Sequence, residues 1–408
     1  MTTKSTYCSK SWTDININFE SRTVQHCCKS VCYAFPEVLT EEFISKSENL
    51  IERKRLSLEA IAHSDCQSCW NEYSVGGTAY RDWNNRWSDD SIQECKLHEI
   101  NDDRFVHHIE IKLDSTCDMS CIYCSPTDSS KIAEEEGVYI KDRTTENDYE
   151  IFKIWFTNLV SRKKMQDDYP KTIVVSFLGG EPTASKRFYE IVDHIEDVSK
   201  LYDGVIIKLA ICTNANSKKF LMDKIINKMD NSRLDWEIAI SNEAVCEDAE
   251  KIRYGLDWDR FSTNFQRYIQ HPKVKLIILS PTITIFSLKS FHLYIKWVHE
   301  QFKLYSPIKT FTWVGNVALF NSGLSDIAYL SKDYLFYIEL AEQEILKEKL
   351  NIHFFDITQF ITFIDALKVR VGSLYNEDYK KIAQEFLEDK QKFKKTNILI
   401  KLMKNLNL

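Results

Sequence analysis

At 408 residues the chain is long enough for two or three domains, because a single hydrophobic core stops growing at roughly 250–300 residues. A hydrophobic fraction of 44% with 28% charged residues is that of an ordinary globular chain, and 19 Tyr, 23 Phe and 9 Trp argue against wholesale disorder. A formal net charge of −7 excludes a surface that attracts nucleic acid over its whole extent. No run of about 18 apolar residues offers a membrane-spanning helix.

The N-terminus, Met1 to Ser5, lacks the apolar core of a signal peptide, which predicts a cytoplasmic, reducing location where the 12 cysteines are poor candidates for disulfides. Seven cysteines precede residue 100, three fall between residues 117 and 124, and Cys212 and Cys246 stand apart. Such clustering reads as metal binding. Cys212 and Cys246 read as buried apolar residues, as free cysteine often is.

The first hundred residues read as irregular, with one helical stretch around 41–62. From about Val106 the pattern changes to short β-branched runs alternating with helical spacing. Strands are predicted at 107–113, 173–178, 205–212, 235–240, 275–279 and 309–313, with helices at 146–160, 185–200 and 221–229 between them. Strands separated by helices predict a parallel α/β sheet, and six such units make a partial (β/α)6 TIM-like barrel. Residues 325–408 read as a helical C-terminal extension, giving a division into 1–100, 101–324 and 325–408. Its end, residues 390–408, holds six Lys and no acid, which a solvated helix face with an apolar inner stripe explains more simply than nucleic-acid binding does.

The first barrel strand leads into Cys117-Asp118-Met119-Ser120-Cys121-Ile122-Tyr123-Cys124. Three thiolates on one loop can hold three irons of a cubane and leave the fourth iron open. A zinc loop completed by His107 or His108 is the competing reading. The second strand leads into Gly179-Gly180-Glu181-Pro182, where paired glycines permit close backbone approach. Thr213-Asn214 ends the third strand and Ser241-Asn242 the fourth, with Arg253 shortly after.

This order of motifs resembles the radical S-adenosylmethionine (SAM) superfamily. The resemblance implies a [4Fe–4S] cluster on Cys117, Cys121 and Cys124 that binds and reductively cleaves SAM. It further implies that Tyr123 lies against the adenine and that Gly179, Gly180 and Glu181 receive the SAM ammonium. Thr213 and Asn214 would contact the ribose or carboxylate, and Ser241 and Arg253 would hold the carboxylate. Relatives commonly place an acid directly after that serine, where this chain has Asn242.

Cys8, Cys27, Cys28, Cys66 and Cys69, followed by Gly77 and Arg81, resemble the twitch, or half-SPASM, domain, here placed ahead of the barrel. The resemblance spans about residues 7–320 and implies an auxiliary [4Fe–4S] cluster on Cys8, Cys27, Cys66 and Cys69, with Cys28 as the alternative to Cys27. Cys32 and Cys95 are possible substitutes, and a zinc knuckle is the rival occupant. The family pattern has a Gly five residues before the first cysteine of the pair, where this chain has Arg22.

The function implied is hydrogen abstraction by a 5′-deoxyadenosyl radical from a peptide or protein side chain, an oxidoreductase chemistry fed by an external donor such as flavodoxin or ferredoxin. Radical modification of a nucleotide or other small molecule is the alternative substrate class. A non-catalytic iron–sulfur or zinc protein for interaction or electron transfer is the alternative from a different class. No residue is singled out by spacing as the general acid or base.

Overall fold

The computed structural model describes residues 8–59, 61–67, 69–70, 100, 103, 105–165, 171–305, 310–313, 316–317, 331–347 and 357–373. Its strands are β1 (Asp14–Asn18), β2 (Thr23–Gln25), β3 (Tyr33–Ala34), β4 (His108–Lys112), β5 (Ser120–Cys121), β6 (Thr172–Leu178) and β7 (Ile206–Thr213). They continue with β8 (Asp235–Ile240), β9 (Arg253–Tyr254), β10 (Val274–Leu279), β11 (Thr282–Ile283), β12 (Thr310–Trp313) and β13 (Asn316–Val317). The helices are α1 (Lys10–Thr13), α2 (Glu41–Lys46), α3 (Glu48–Leu58), α4 (Ser130–Glu136), α5 (Glu146–Lys164) and α6 (Lys186–Leu201). After them come α7 (Lys219–Asp230), α8 (Cys246–Ile252), α9 (Trp258–Gln270), α10 (Phe291–Tyr305), α11 (Leu335–Lys347) and α12 (Ile357–Arg370).

All six strands expected from the sequence are present, and they lie side by side in the order β12-β10-β8-β7-β6-β4. Every neighbouring pair among them is parallel. Helices in the crossovers return the chain to the same edge, as parallel pairing requires. The order is linear, so among the described residues the sheet does not close on itself. One face is largely apolar: Ile109, Ile111, Val175, Phe177, Leu209, Ile211, Ile238 and Ile240 are buried. Phe177 meets Phe188 of α6 edge-on at 4.9 Å between centroids. Each such side chain stabilises the fold by roughly 1.5–3 kcal/mol. The opposite face carries the half-buried His108, Glu110, Lys112, Ser176, Lys208 and Glu237. A sheet buried on both faces reads as a continuous apolar run; this alternation marks a second face given to polar work.

The N-terminal segment departs from the irregular reading. Ile15 and Ile17 alternate with Asn16 and Asn18, a period of two that makes β1 a strand. β1 pairs parallel to β4, with Asp14 opposite His108 and Asn18 opposite Lys112. β2 and β3 extend that edge antiparallel. One sheet therefore runs across residue 100. The helical stretch expected over 41–62 is two helices, broken where Ser47 takes an extended conformation, φ −58° and ψ 149°.

Arg22 sits in the turn between β1 and β2 at φ +52°. That left-handed conformation costs a residue with a side chain ~1–2 kcal/mol and is the usual place for glycine. Arg22 is held there by Asp148, the N3 residue of the α5 capping box, whose Oδ2 lies 2.9 Å from Arg22 Nε. Arg22 Nη2 also donates to the carbonyls of Pro36 and Glu37. Behind the sheet, α12 reaches α10 through Phe363 and Phe291, and Lys368 binds Glu342 of α11 at 2.8 Å. Cys95, Gly77, Arg81 and the lysine-rich end at 390–408 lie outside the described residues.

Candidate functional site

The cysteine loop leaves the C-terminal end of β4 and is fastened on three sides. On the first side lie the glycines that follow β6. Gly180 N–H donates to the Asp114 carbonyl at 3.2 Å, and Glu181 N–H to the Thr116 carbonyl at 2.7 Å. A Cβ on Gly180 would lie 2.3 Å from the Thr116 oxygen; one on Gly179, at φ +119°, would lie 2.8 Å from the Asp114 oxygen. Only glycine lets the two backbones meet this closely. On the second side is the start of α4. Ser129 Oγ donates to the Met119 carbonyl at 2.6 Å, and Ser130 Oγ accepts from Cys117 N–H at 3.1 Å. On the third side, β5 pairs antiparallel with β9, setting Cys121 opposite Arg253. Glu20, from the β1–β2 turn, adds a fourth tie by accepting from Ser115 N–H and Oγ at 3.1 and 2.7 Å.

Glu181 is buried at the centre of this assembly. Its carboxylate accepts from Thr213 Oγ1 at 2.9 and 3.0 Å, from Asn214 N–H at 2.8 Å and from Thr183 Oγ1 at 2.6 Å. Burial raises its pKa and these donors pull against that rise. With its lone pairs committed inside the protein, Glu181 ties the end of β7 to the glycine turn. Backbone carbonyls of the turn are left for any ammonium ligand. Asn214 in turn places Nδ2 3.9 Å from Cys117 Sγ.

A second buried carboxylate, Glu243, was not singled out by the sequence. It sits two residues after Ser241, one position beyond the expected acid, and that short offset was the available signal. Arg253 donates to it through Nη2 at 2.6 Å and Nε at 3.1 Å. Tyr123 Oη donates at 3.1 Å, and the Arg253 guanidinium lies 5.3 Å from the Tyr123 ring centroid. Arg253 is buried, and its charge faces Cys121. Ser241 Oγ lies 3.4 Å from Cys212 Sγ, which is half-buried. Cys246 departs from the buried reading: it is exposed, at φ +49°.

Burial pushes the Cys117 thiol up to about 12, with Cys121 and Glu181 adding to the rise. Cys124 is raised too, first by its hydrogen bond with Cys121 and then by burial. Three crowded thiols, of which Cys117 and Cys124 resist ionisation, are a donor set that calls for a cation. Among the described residues no three His, Cys, Asp or Glu side chains converge on one metal-ion position. Cubane ligands each bind a different iron, so they do not converge on one point.

The N-terminal cysteines come together in a separate place. Cys8, Cys27, Cys66 and Cys69 line one pocket with Lys10, Arg53 and Asp65. Burial pushes the Cys8 thiol up to about 12. Cys27 is brought down to about 6, first by its hydrogen bond with Cys28, then by Lys29 N–H and the charges of Lys10 and Arg53. Cys28 and Cys32 are exposed, and neither lines the pocket. All the described cysteines are free thiols.

No protein-family model matches the chain. No curated protein matches it. Solved structures share a remote likeness of the backbone. Native anSMEcpe with bound AdoMet is 16% identical at a TM-score of 0.40, covering 60% of this chain and 61% of that one. The same protein with AdoMet and the Cp18Cys peptide gives 16% and 0.39 over the same shares. Streptococcus suis SuiB bound to the precursor peptide SuiA is 15% identical at 0.39, covering 84% of this chain and 70% of that one. The chain thus spans about three fifths of the length of the anSMEcpe structures.

Proposed function

We propose that the protein is a radical SAM enzyme: Cys117, Cys121 and Cys124 hold a [4Fe–4S] cluster, and SAM binds at the ends of the parallel strands, which form a partial barrel. The observation that carries this reading is the glycine cradle, in which Gly179 and Gly180 meet residues 114–116 with no room for a Cβ. Backbone groups at that contact are fixed without side-chain freedom, which suits them to receive a small polar ligand beside the cysteine loop. The cluster, when bound, supplies an electron that cleaves SAM and yields a 5′-deoxyadenosyl radical able to take hydrogen from a substrate.

The chain's own residues do the positioning. Glu181 locks Thr213 and Asn214 against the glycine turn. Glu243 orients Arg253 and Tyr123 together beside Cys121 and Cys124. Ser241, at the end of the neighbouring strand, faces the same region as Cys212. The four pocket cysteines hold an auxiliary [4Fe–4S] cluster in a twitch-like N-terminal segment, and the polar sheet face receives a peptide or protein side chain. The peptide class follows from the sequence resemblance. An external one-electron donor of the flavodoxin or ferredoxin kind and a reducing, cytoplasmic location fit a chain whose described cysteines are all free thiols. Among the described residues no helix is long and apolar enough to cross a membrane.

The test is anaerobic reconstitution with iron and sulfide, then incubation with SAM and dithionite. Iron is counted and 5′-deoxyadenosine sought by mass spectrometry. About eight irons per chain and 5′-deoxyadenosine formation are expected. Cys117→Ala should abolish SAM cleavage and leave about four irons in the N-terminal pocket. Bound zinc with intact SAM would overturn the reading.

A further inference from the structure

The buried face of α3 is made of Leu50, Arg53, Lys54 and Ser57. Their spacing of three, one and three residues is that of an inward helical stripe, which in a globular protein is normally apolar. Here it holds two cations and a hydroxyl. Ser57 Oγ accepts from Cys8 N–H at 3.2 Å. Lys54 lies 6.0 Å from the Trp12 ring centroid. Arg53 is 3% exposed, and its Nε and Nη2 have no hydrogen-bond partner among the described residues.

A guanidinium does not shed its proton in a protein, so burial leaves a charge that must be met. Arg53 lines the pocket formed by Cys8, Cys27, Cys66 and Cys69. The pocket's carboxylate, Asp65, lies 3.5 Å from His63, and its Oδ2 makes no hydrogen bond among the described residues, to Arg53 or to any other donor. Lys10, the pocket's other buried cation, is paired with Asp14 at 2.5 Å. Four thiols beside a guanidinium with two unpartnered N–H donors describe a pocket whose donors are left for what it binds. An iron–sulfur cubane ligated by four thiolates carries net negative charge and presents sulfur acceptors.

We propose that Arg53 donates from Nε and Nη2 to the auxiliary cluster and sets its reduction potential. This rests on the auxiliary-cluster reading of the pocket. A fixed positive charge and N–H donors beside a cluster stabilise its reduced, more negative form, so Arg53 raises the potential. The auxiliary site is thereby poised to accept an electron, whereas beside the cysteine loop at 117–124 the Arg253 guanidinium is committed to Glu243.

The experiment uses the full chain carrying Cys117→Ala, Cys121→Ala and Cys124→Ala, so that only the N-terminal pocket contributes a signal. Iron and zinc are counted, and the midpoint potential is read by EPR-monitored titration. Arg53→Met should hold its iron and lower the potential. At a fixed poise its reduced-to-oxidised ratio should fall at least tenfold, which is about 59 mV for one electron. Arg53→Lys, which keeps the charge, should restore part of that shift. Loss of iron from Arg53→Met alone, with Arg53→Lys retaining it, would equally support the charge requirement. An unchanged potential in Arg53→Met at full iron content overturns the proposal. Loss of iron from both variants assigns Arg53 to folding of the pocket and overturns it too. Zinc, or no metal, in the parent protein fails the auxiliary reading itself and is seen before any Arg53 variant is made.

Discussion

Beside the 117–124 loop, Arg253 and Glu243 are paired with each other in the protein interior; beside the N-terminal cysteines, Nε and Nη2 of Arg53 have no hydrogen-bond partner among the described residues. The loop is also gripped by backbone: two hydrogen bonds from the glycine turn and the short β5–β9 ribbon. The pocket is assembled from side chains that arrive on separate segments, around Cys8, Cys27, Arg53 and Cys66. The difference teaches that one thiol set is shaped in advance by backbone and by a paired arginine, while the other keeps unpartnered donors beside it. Pre-shaping suits a site that must hold a reacting molecule in one pose. Completion on binding suits a site whose energy comes from the group itself.

Three substitutions break or sharpen that contrast. Gly180→Ala has the largest expected effect, because its Cβ would lie 2.3 Å from a backbone oxygen that no rotamer change can move away. Displacing the loop by about 1 Å should cut 5′-deoxyadenosine formation roughly a hundredfold. Iron in the N-terminal pocket should stay, and loss of both clusters together would deny that the two sites are built separately. Arg253→Met comes next. It leaves Glu243 as an unmatched buried carboxylate and should cost roughly 3–5 kcal/mol, read from denaturant midpoints. Arg253→Met with Glu243→Gln should recover much of that loss, since neighbours in one pair are not additive. Equal losses in the single and double variants would show that the pair does not act as a unit.

Arg22→Gly is the smallest. Glycine relieves the left-handed strain but removes the donors to Asp148, and the net cost near neutral pH should be about 1 kcal/mol. Burial works to raise the Asp148 pKa, yet Arg22 and the Thr145 hydrogen bonds hold it below its ordinary 3.8. A carboxyl with a depressed folded pKa contributes stability that is complete above 3.8 and is lost as pH falls through the folded value. The gap between the two proteins should therefore narrow on going from about pH 6 to about pH 3, as measured by urea unfolding. A gap that widens would show that Asp148 is not Arg22's stabilising partner.

The six parallel strands were legible because short β-branched runs are separated by stretches of helical spacing. The glycine turn was legible for a related reason: two adjacent glycines after a strand announce a close approach, though not which backbone they approach. What pairs at long range was not visible. β1 is a five-residue strand of alternating Asn and Ile whose partner lies beyond residue 100, and nothing local names that partner. Glu243 was not legible because the resemblance points to the position directly after Ser241; a two-residue step along the turn brings the acid to Arg253. Arg22 was visible as a departure from the glycine pattern, but the compensation supplied by Asp148 exists only in three dimensions.

The pairing of β1 with β4 also orders events during synthesis. Asn16 and Glu110, neighbours in the finished sheet, are 94 residues apart in the chain. A ribosome that has made Cys8, Cys27 and the apolar Ile15 and Ile17 must translate past β4 before that strand can pair. Long-range parallel pairing is slow, and an unpaired strand is exposed to association while it waits. Pocket cysteines therefore emerge first and are fixed late; on the proposed auxiliary-cluster reading, metal insertion there would follow the folding of the sheet rather than precede it.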